Sequence, residues 1–105
     1  MKKIVWLSYD LGVKGDYEAL YAWLDNRGAK ECGDGVAVLN YEFQKDLVEE
    51  LKDDLSKNIG LAKRDRVYLV WLEDRKAKGR FLFGFRRAAP WAGYGSHEPV
   101  VDEEA

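Results

Sequence analysis

Apolar residues fall into seven short stretches separated by glycine, asparagine or aspartate, and the spacing alternates between strand and helix periods. Residues 3–9 are almost continuously apolar, β-branched or aromatic and predict a buried strand. That strand runs into Asp10 and the turn Leu11-Gly12-Val13-Lys14-Gly15. Asp16 is a good N-cap, and Tyr17, Leu20, Tyr21 and Leu24 recur at helical spacing behind it. The helix is expected to end near Arg27, with Gly28 in the left-handed conformation. Residues 29–32 and 36–41 read as two strands of a hairpin closed by Gly33-Asp34-Gly35. A second helix is predicted over 43–58, with Leu47, Val48, Leu51 and Leu55 on one face and Asn58 and Gly60 at its end. Strands follow at 66–72 and 80–85, with 74–79 as the turn between them.

The order β-α-β-β-α-β plus an extra C-terminal strand predicts an α+β, ferredoxin-like domain. In it, two helices cover one face of an antiparallel sheet. Residues 1–95 form this single domain, and 96–105 read as an acidic flexible tail. The other sheet face then has to be solvated, covered by a partner or used for binding. Strict alternation sends Phe81, Phe83 and Phe85 to one face together. A row that apolar is expected to be covered, most simply by a homodimer or an intermolecular sheet.

Composition adds three things. No stretch reads as a signal peptide or membrane span, and the single Cys32 makes no internal disulfide, so a cytoplasmic protein without a membrane partner is expected. The formal net charge of −2 hides an uneven distribution. Residues 63–87 carry nine basic and three acidic side chains, while 1–62 carry eight and twelve. A basic stretch between acidic flanks either faces phosphates or forms a solvated loop-and-edge surface.

Asp10 is the candidate catalytic and metal-binding residue. A carboxylate at the end of a rigid strand is an oxygen ligand for a hard cation such as Mg2+ or Mn2+. Such a cation would lower the pKa of a bound water. The other reading of Asp10 is a cap for the turn that follows it. Arg86, Arg87 and Trp91 are the candidate nucleic-acid-binding residues, because guanidinium groups fork onto phosphates and an indole stacks on a base. Trp91 can equally be a packing plug with Pro90 fixing its entry. Ser8 reads as a core-edge hydroxyl, His97 as a solvated histidine and Cys32 as a packing or edge residue. Gly12 and Gly15 lack the spacing of a phosphate loop.

The strand ending Tyr9-Asp10, the helix 17–27, the hairpin strand Val36-Ala37-Val38-Leu39 and the acidic second helix form a set with the strand Val67 to Trp71. Together with Gly84-Phe85-Arg86-Arg87-Ala88-Ala89-Pro90-Trp91-Ala92-Gly93, they resemble the CRISPR-associated protein two family. The likeness is greatest to that family's standalone relatives outside CRISPR loci. It covers roughly residues 3–94. It implies a ferredoxin-like protomer in a symmetric homodimer whose last strand pairs with the partner's sheet. It also implies a nucleic-acid role. Some members are credited with metal-dependent nuclease activity through the aspartate matching Asp10, one from each protomer, and others only hold nucleic acid. The sequence departs from the nuclease-like pattern in having only Lys14 in the loop after Asp10 and Gly35-Val36-Ala37-Val38 in the hairpin. A non-catalytic module that docks on another protein is the alternative.

Overall fold

A computed structural model describes residues 1–96 as an α+β fold. His97 and the acidic residues Glu98, Asp102, Glu103 and Glu104 lie outside the described residues, as does nearly all of the expected tail. The elements are β1 (Lys2–Asp10), α1 (Tyr17–Asn26), β2 (Lys30–Glu31), β3 (Val36–Glu42), α2 (Leu47–Asn58), β4 (Arg66–Glu73) and β5 (Lys76–Phe83). They build one five-stranded antiparallel sheet in the order β2-β3-β1-β4-β5. Among the described residues no helix is long and apolar enough to cross a membrane.

Alternation sets the core. Val5 and Leu7 of β1, Ala37, Leu39 and Tyr41 of β3, and Val67 and Leu69 of β4 are buried on one face. Leu20, Trp23 and Leu24 of α1 join them there with Leu47, Leu51 and Leu55 of α2. Both helices therefore bury their apolar stripes in a single core.

The helix ends follow local chemistry. Asp16 Oδ1 accepts the Ala19 N–H at 3.2 Å, and its Oδ2 accepts the Gly60 N–H at 2.9 Å. The cap of α1 thus also holds the chain leaving α2. Gly28 has φ +65°, and Ala29 N–H reaches back to the Leu24 carbonyl, which closes α1 as expected. Helix α2 starts later than its apolar pattern suggests. Asp46 caps it, and Phe43 instead precedes it as a buried core residue.

Glu50 reaches back to accept the backbone N–H groups of Gln44, Lys45 and Asp46 at 2.7–2.8 Å. Those bonds hold its carboxyl below the usual value of 4.5. A lowered folded pKa stabilises the fold above 4.5, and the contribution disappears as pH falls through the lowered value. Denaturant titrations of the wild type and Glu50→Gln should therefore differ at neutral pH and converge as the pH falls below the lowered value. A gap that stays constant across that range would remove this role from Glu50.

The last hairpin corrects two expectations. Its turn is only Asp74-Arg75, with φ of +51° and +66°, so β5 begins at Lys76 rather than residue 80. Two successive left-handed residues make the tight hairpin turn whose twist matches the strands. The phenylalanine row is also broken. Val67 pairs with Phe83 and Tyr68 with Phe81, so a bulge leaves Leu82 as the extra residue. Phe81 consequently sits on the open face, Phe83 packs against the core, and Phe85 lies beyond the strand, 78% exposed.

Candidate functional site

Asp10 ends β1 on the open face, directly opposite Arg66 at the start of β4. Arg66 Nη2 donates to Asp10 Oδ2 at 3.0 Å. The arginine is the more buried partner, with its side chain 26% exposed against 58% for the aspartate. Arg66 Nε is sealed from solvent and makes no hydrogen bond. Leaving such a donor unsatisfied costs about 1–3 kcal/mol.

Beside this ion pair, Tyr68 and Phe81 meet edge to face with centroids 4.7 Å apart. The Tyr68 ring lies across Gly79, where any side chain would collide with it. This is the reason for a glycine inside β5. The guanidinium carbon of Arg86 is 5.9 Å from both ring centroids. Gly84 brings it there. With φ +77°, Gly84 crosses the start of β4 so closely that a Cβ would lie 2.7 Å from Arg66 Cγ and 2.8 Å from the Asp65 carbonyl oxygen. Ser8, Asp10, Arg66, Tyr68, Phe81 and Arg86 line the resulting cleft of about 290 Å³.

The turn after Asp10 is held by a different carboxylate. Asp65 is 2% exposed. Its Oδ1 accepts the Gly12 N–H at 3.0 Å and its Oδ2 the Ala62 N–H at 2.7 Å. The capping role considered for Asp10 therefore falls to Asp65, and Asp10 is free of the turn to pair with Arg66.

The candidate nucleic-acid residues are only partly brought together. Arg86 joins the cleft. Arg87 Nη2 donates to the Arg64 carbonyl at 3.4 Å, beside the start of β4. Trp91 is 72% exposed in a run of turns together with Tyr94, at 88%. It is no plug within its own chain. The basic stretch 63–87 is split by the hairpin. Arg64, Arg66, Arg86 and Arg87 gather at the Asp10 end, and Arg75, Lys76 and Lys78 sit at the turn, roughly 20–25 Å away along the strands. Cys32 is an exposed edge residue.

The described residues of one chain do not offer a metal cation a suitable donor set. Asp10 is already neutralised by Arg66, and no group of three His, Cys, Asp or Glu side chains gathers among the described residues. A hard divalent ion favours several oxygen ligands of net negative charge, so these residues do not fit it within one protomer.

Two further clusters are built differently. Arg27 Nη2 and Tyr41 Oη both bond Asp54 Oδ2, at 2.7 and 3.0 Å, and Arg27 stacks 4.2 Å above the Trp23 ring. This network ties α1, α2 and β3, and burial followed by the bond to Asp54 pushes the Tyr41 hydroxyl pKa up. Near Gly35, Tyr9 and Tyr21 meet edge to face at 6.4 Å, and burial raises the Tyr9 pKa.

Four residues of the cleft escape sequence reasoning in their roles: Arg66, Tyr68, Phe81 and Ser8, which reads as a core-edge hydroxyl in the sequence and is exposed on the open face. The signal for Arg66 was its place at the first position of a strand antiparallel to β1, which needs the register as well as the sequence. No family model, curated protein or solved structure matches the chain.

Proposed function

We propose that this chain is a homodimeric nucleic-acid-associated protein with a ferredoxin-like core, as its resemblance to the CRISPR-associated protein two family implies. The observation that carries the reading is the convergence of Arg66, Arg86 and the Tyr68–Phe81 pair in one cleft on the open sheet face. Guanidinium groups and aromatic rings are the side chains that hold phosphates and bases. The strand order β2-β3-β1-β4 with β5 added beside β4 supports the ferredoxin-like assignment.

The homodimer rests on the remainder of that face. Ile4, Trp6, Val38 and Val70 lie on it away from the Asp10 end, with Ile4 48% exposed and Leu72 54%. A patch of this kind marks an interaction surface. Among the described residues β5 pairs only with β4, which leaves its outer edge for a partner's strand. The exposed Phe85, Trp91 and Tyr94 favour a second reading, a non-catalytic module that docks on another protein.

Strand cleavage with Mg2+ or Mn2+ through Asp10 would draw on Asp10 side chains from two copies, as the resemblance implies, since the described residues of one chain gather no ligand set. Labelled single- and double-stranded RNA and DNA, offered to the wild type and Asp10→Ala with Mg2+, Mn2+ or EDTA, separate holding from cutting. We expect intact strands to be retained in EDTA by both proteins. Metal-dependent cleavage that vanishes in the variant would make the protein a nuclease. Absence of retention under every condition would sink the nucleic-acid reading.

A further inference from the structure

We infer that the cleft between α1 and the β2–β3 hairpin binds an organic cation, a guanidinium or primary ammonium group carried on an apolar stem. This cleft is separate from the one beside Asp10. It lies on the helix side of the sheet, whereas Asp10 and Arg66 line the open side.

The cleft encloses about 340 Å³, within the range of small-molecule sites. One wall is aromatic and apolar. Tyr9 at the end of β1 and Tyr21 on α1 meet edge to face with centroids 6.4 Å apart, and Tyr17 braces Tyr21 at 5.5 Å. Leu24 continues that wall. The rim is acidic, with Asp25 from α1, Glu31 from β2 and Asp34 from the hairpin turn. Among the described residues lining the cleft none is basic, and none of the three carboxylates enters an ion pair.

The same carboxylates are not arranged for a metal, since no group of three gathers closely enough among the described residues to hold one. Carboxylates spread around an aromatic wall suit a larger cation. The ring faces attract its charge, and the apolar wall takes up its stem.

The backbone holds the rim in place. The Gly33 N–H donates to Glu31 Oε2 at 3.1 Å, which fixes that carboxylate and leaves its other oxygen to accept. Gly35, with φ +76°, crosses β1 so closely that a Cβ would lie 2.8 Å from the Tyr9 carbonyl oxygen. Its own carbonyl accepts the Tyr9 N–H at 2.7 Å. This crossing seats the hairpin turn, and Asp34 with it, against Tyr9. Their nearness is felt at the phenol: burial first, then Tyr21, Tyr17, Glu31 and Asp34, raises the Tyr9 pKa.

Backbone amide NMR shifts of the full chain test this, with butylguanidinium, its neutral isostere butylurea and a capped arginine (acetyl-arginine N-methylamide) as probes. Butylguanidinium should shift the amides of Glu31, Gly33 and Gly35 saturably, with a Kd of about 1 mM or below, and butylurea should not. The double variant Glu31→Gln, Asp34→Asn should weaken binding about fivefold or more. Its melting temperature should hold, because both side chains are exposed. Tyr21 is 53% exposed, so its replacement spares the core. Tyr21→Phe should keep the affinity and Tyr21→Leu should lose about threefold or more.

The capped arginine separates the two sources of such a cation. If it binds as well, the cleft takes an arginine side chain of a protein; if it is excluded while butylguanidinium binds, the cleft takes a free amine. No saturable shift at these amides by about 10 mM butylguanidinium, or equal shifts with butylurea, would overturn the site. Unchanged affinity in the folded double variant would do the same. Neither result bears on strand binding, so the nucleic-acid reading stands or falls separately.

Discussion

Asp65→Ala should destabilise the protein by about 2–4 kcal/mol, because it removes two hydrogen bonds to a charged and buried acceptor. The Gly12 and Ala62 N–H groups are the losers, and water replaces the carboxylate only in part. For a domain of this size the melting temperature should fall on the order of 10–20 °C. Asp65→Asn keeps one acceptor oxygen, so its loss should be distinctly smaller. The site should suffer alongside the fold, since Asp65 immediately precedes Arg66 and holds the turn that follows Asp10. Thermal melts of the three proteins check this. An alanine variant that melts within a few degrees of the wild type would mean that the loop is held by its backbone alone.

The second large effect concerns charge. Replacing Arg86 and Arg87 together by alanine should weaken nucleic-acid binding by about tenfold or more. It should also lower the steepness of the salt dependence by roughly one to two. The two arginines leave the fold by the same tight crossing at Gly84, but they act differently. Arg86 stands over Tyr68 and Phe81, and Arg87 meets the Arg64 carbonyl. Loss of binding without loss of melting temperature is the expected signature, as both side chains are exposed. Binding that survives the double replacement would move the interface elsewhere on the surface.

The regular parts of the fold are legible in the sequence because each has a local cause. Asp16 and Gly28 bracket the first helix, Gly33-Asp34-Gly35 closes a hairpin, and the near-continuous apolar run of β1 marks the strand paired on both sides. What the sequence hides is non-local or exceptional. The Asp74-Arg75 turn lacks the glycine or asparagine that usually announces two left-handed residues, so β5 reads four residues too late. The bulge at Leu82 then breaks the period of two and separates Phe81 from Phe83.

The site is less legible than the fold for the same reason. Asp10 stands out at a strand end, and Arg86 stands out in a basic cluster. Arg66 becomes their neighbour only through the antiparallel register of β1 and β4, in which Asp10 faces Arg66. Asp65 looks like one acidic residue in a basic run until its two backbone partners, 53 and three residues away, are seen. Register and loop closure are properties of the assembled sheet and leave no local trace.

Fluorescence anisotropy of a labelled single-stranded oligonucleotide, titrated with the wild type from roughly 50 to 200 mM salt, tests the central claim most directly. The account predicts saturable binding at the low end, with log affinity falling linearly against log salt at a slope of about −0.7 per phosphate contact. Absence of binding at the lowest salt, or an affinity that ignores salt, would contradict a protein that holds nucleic acid through the arginines around Asp10.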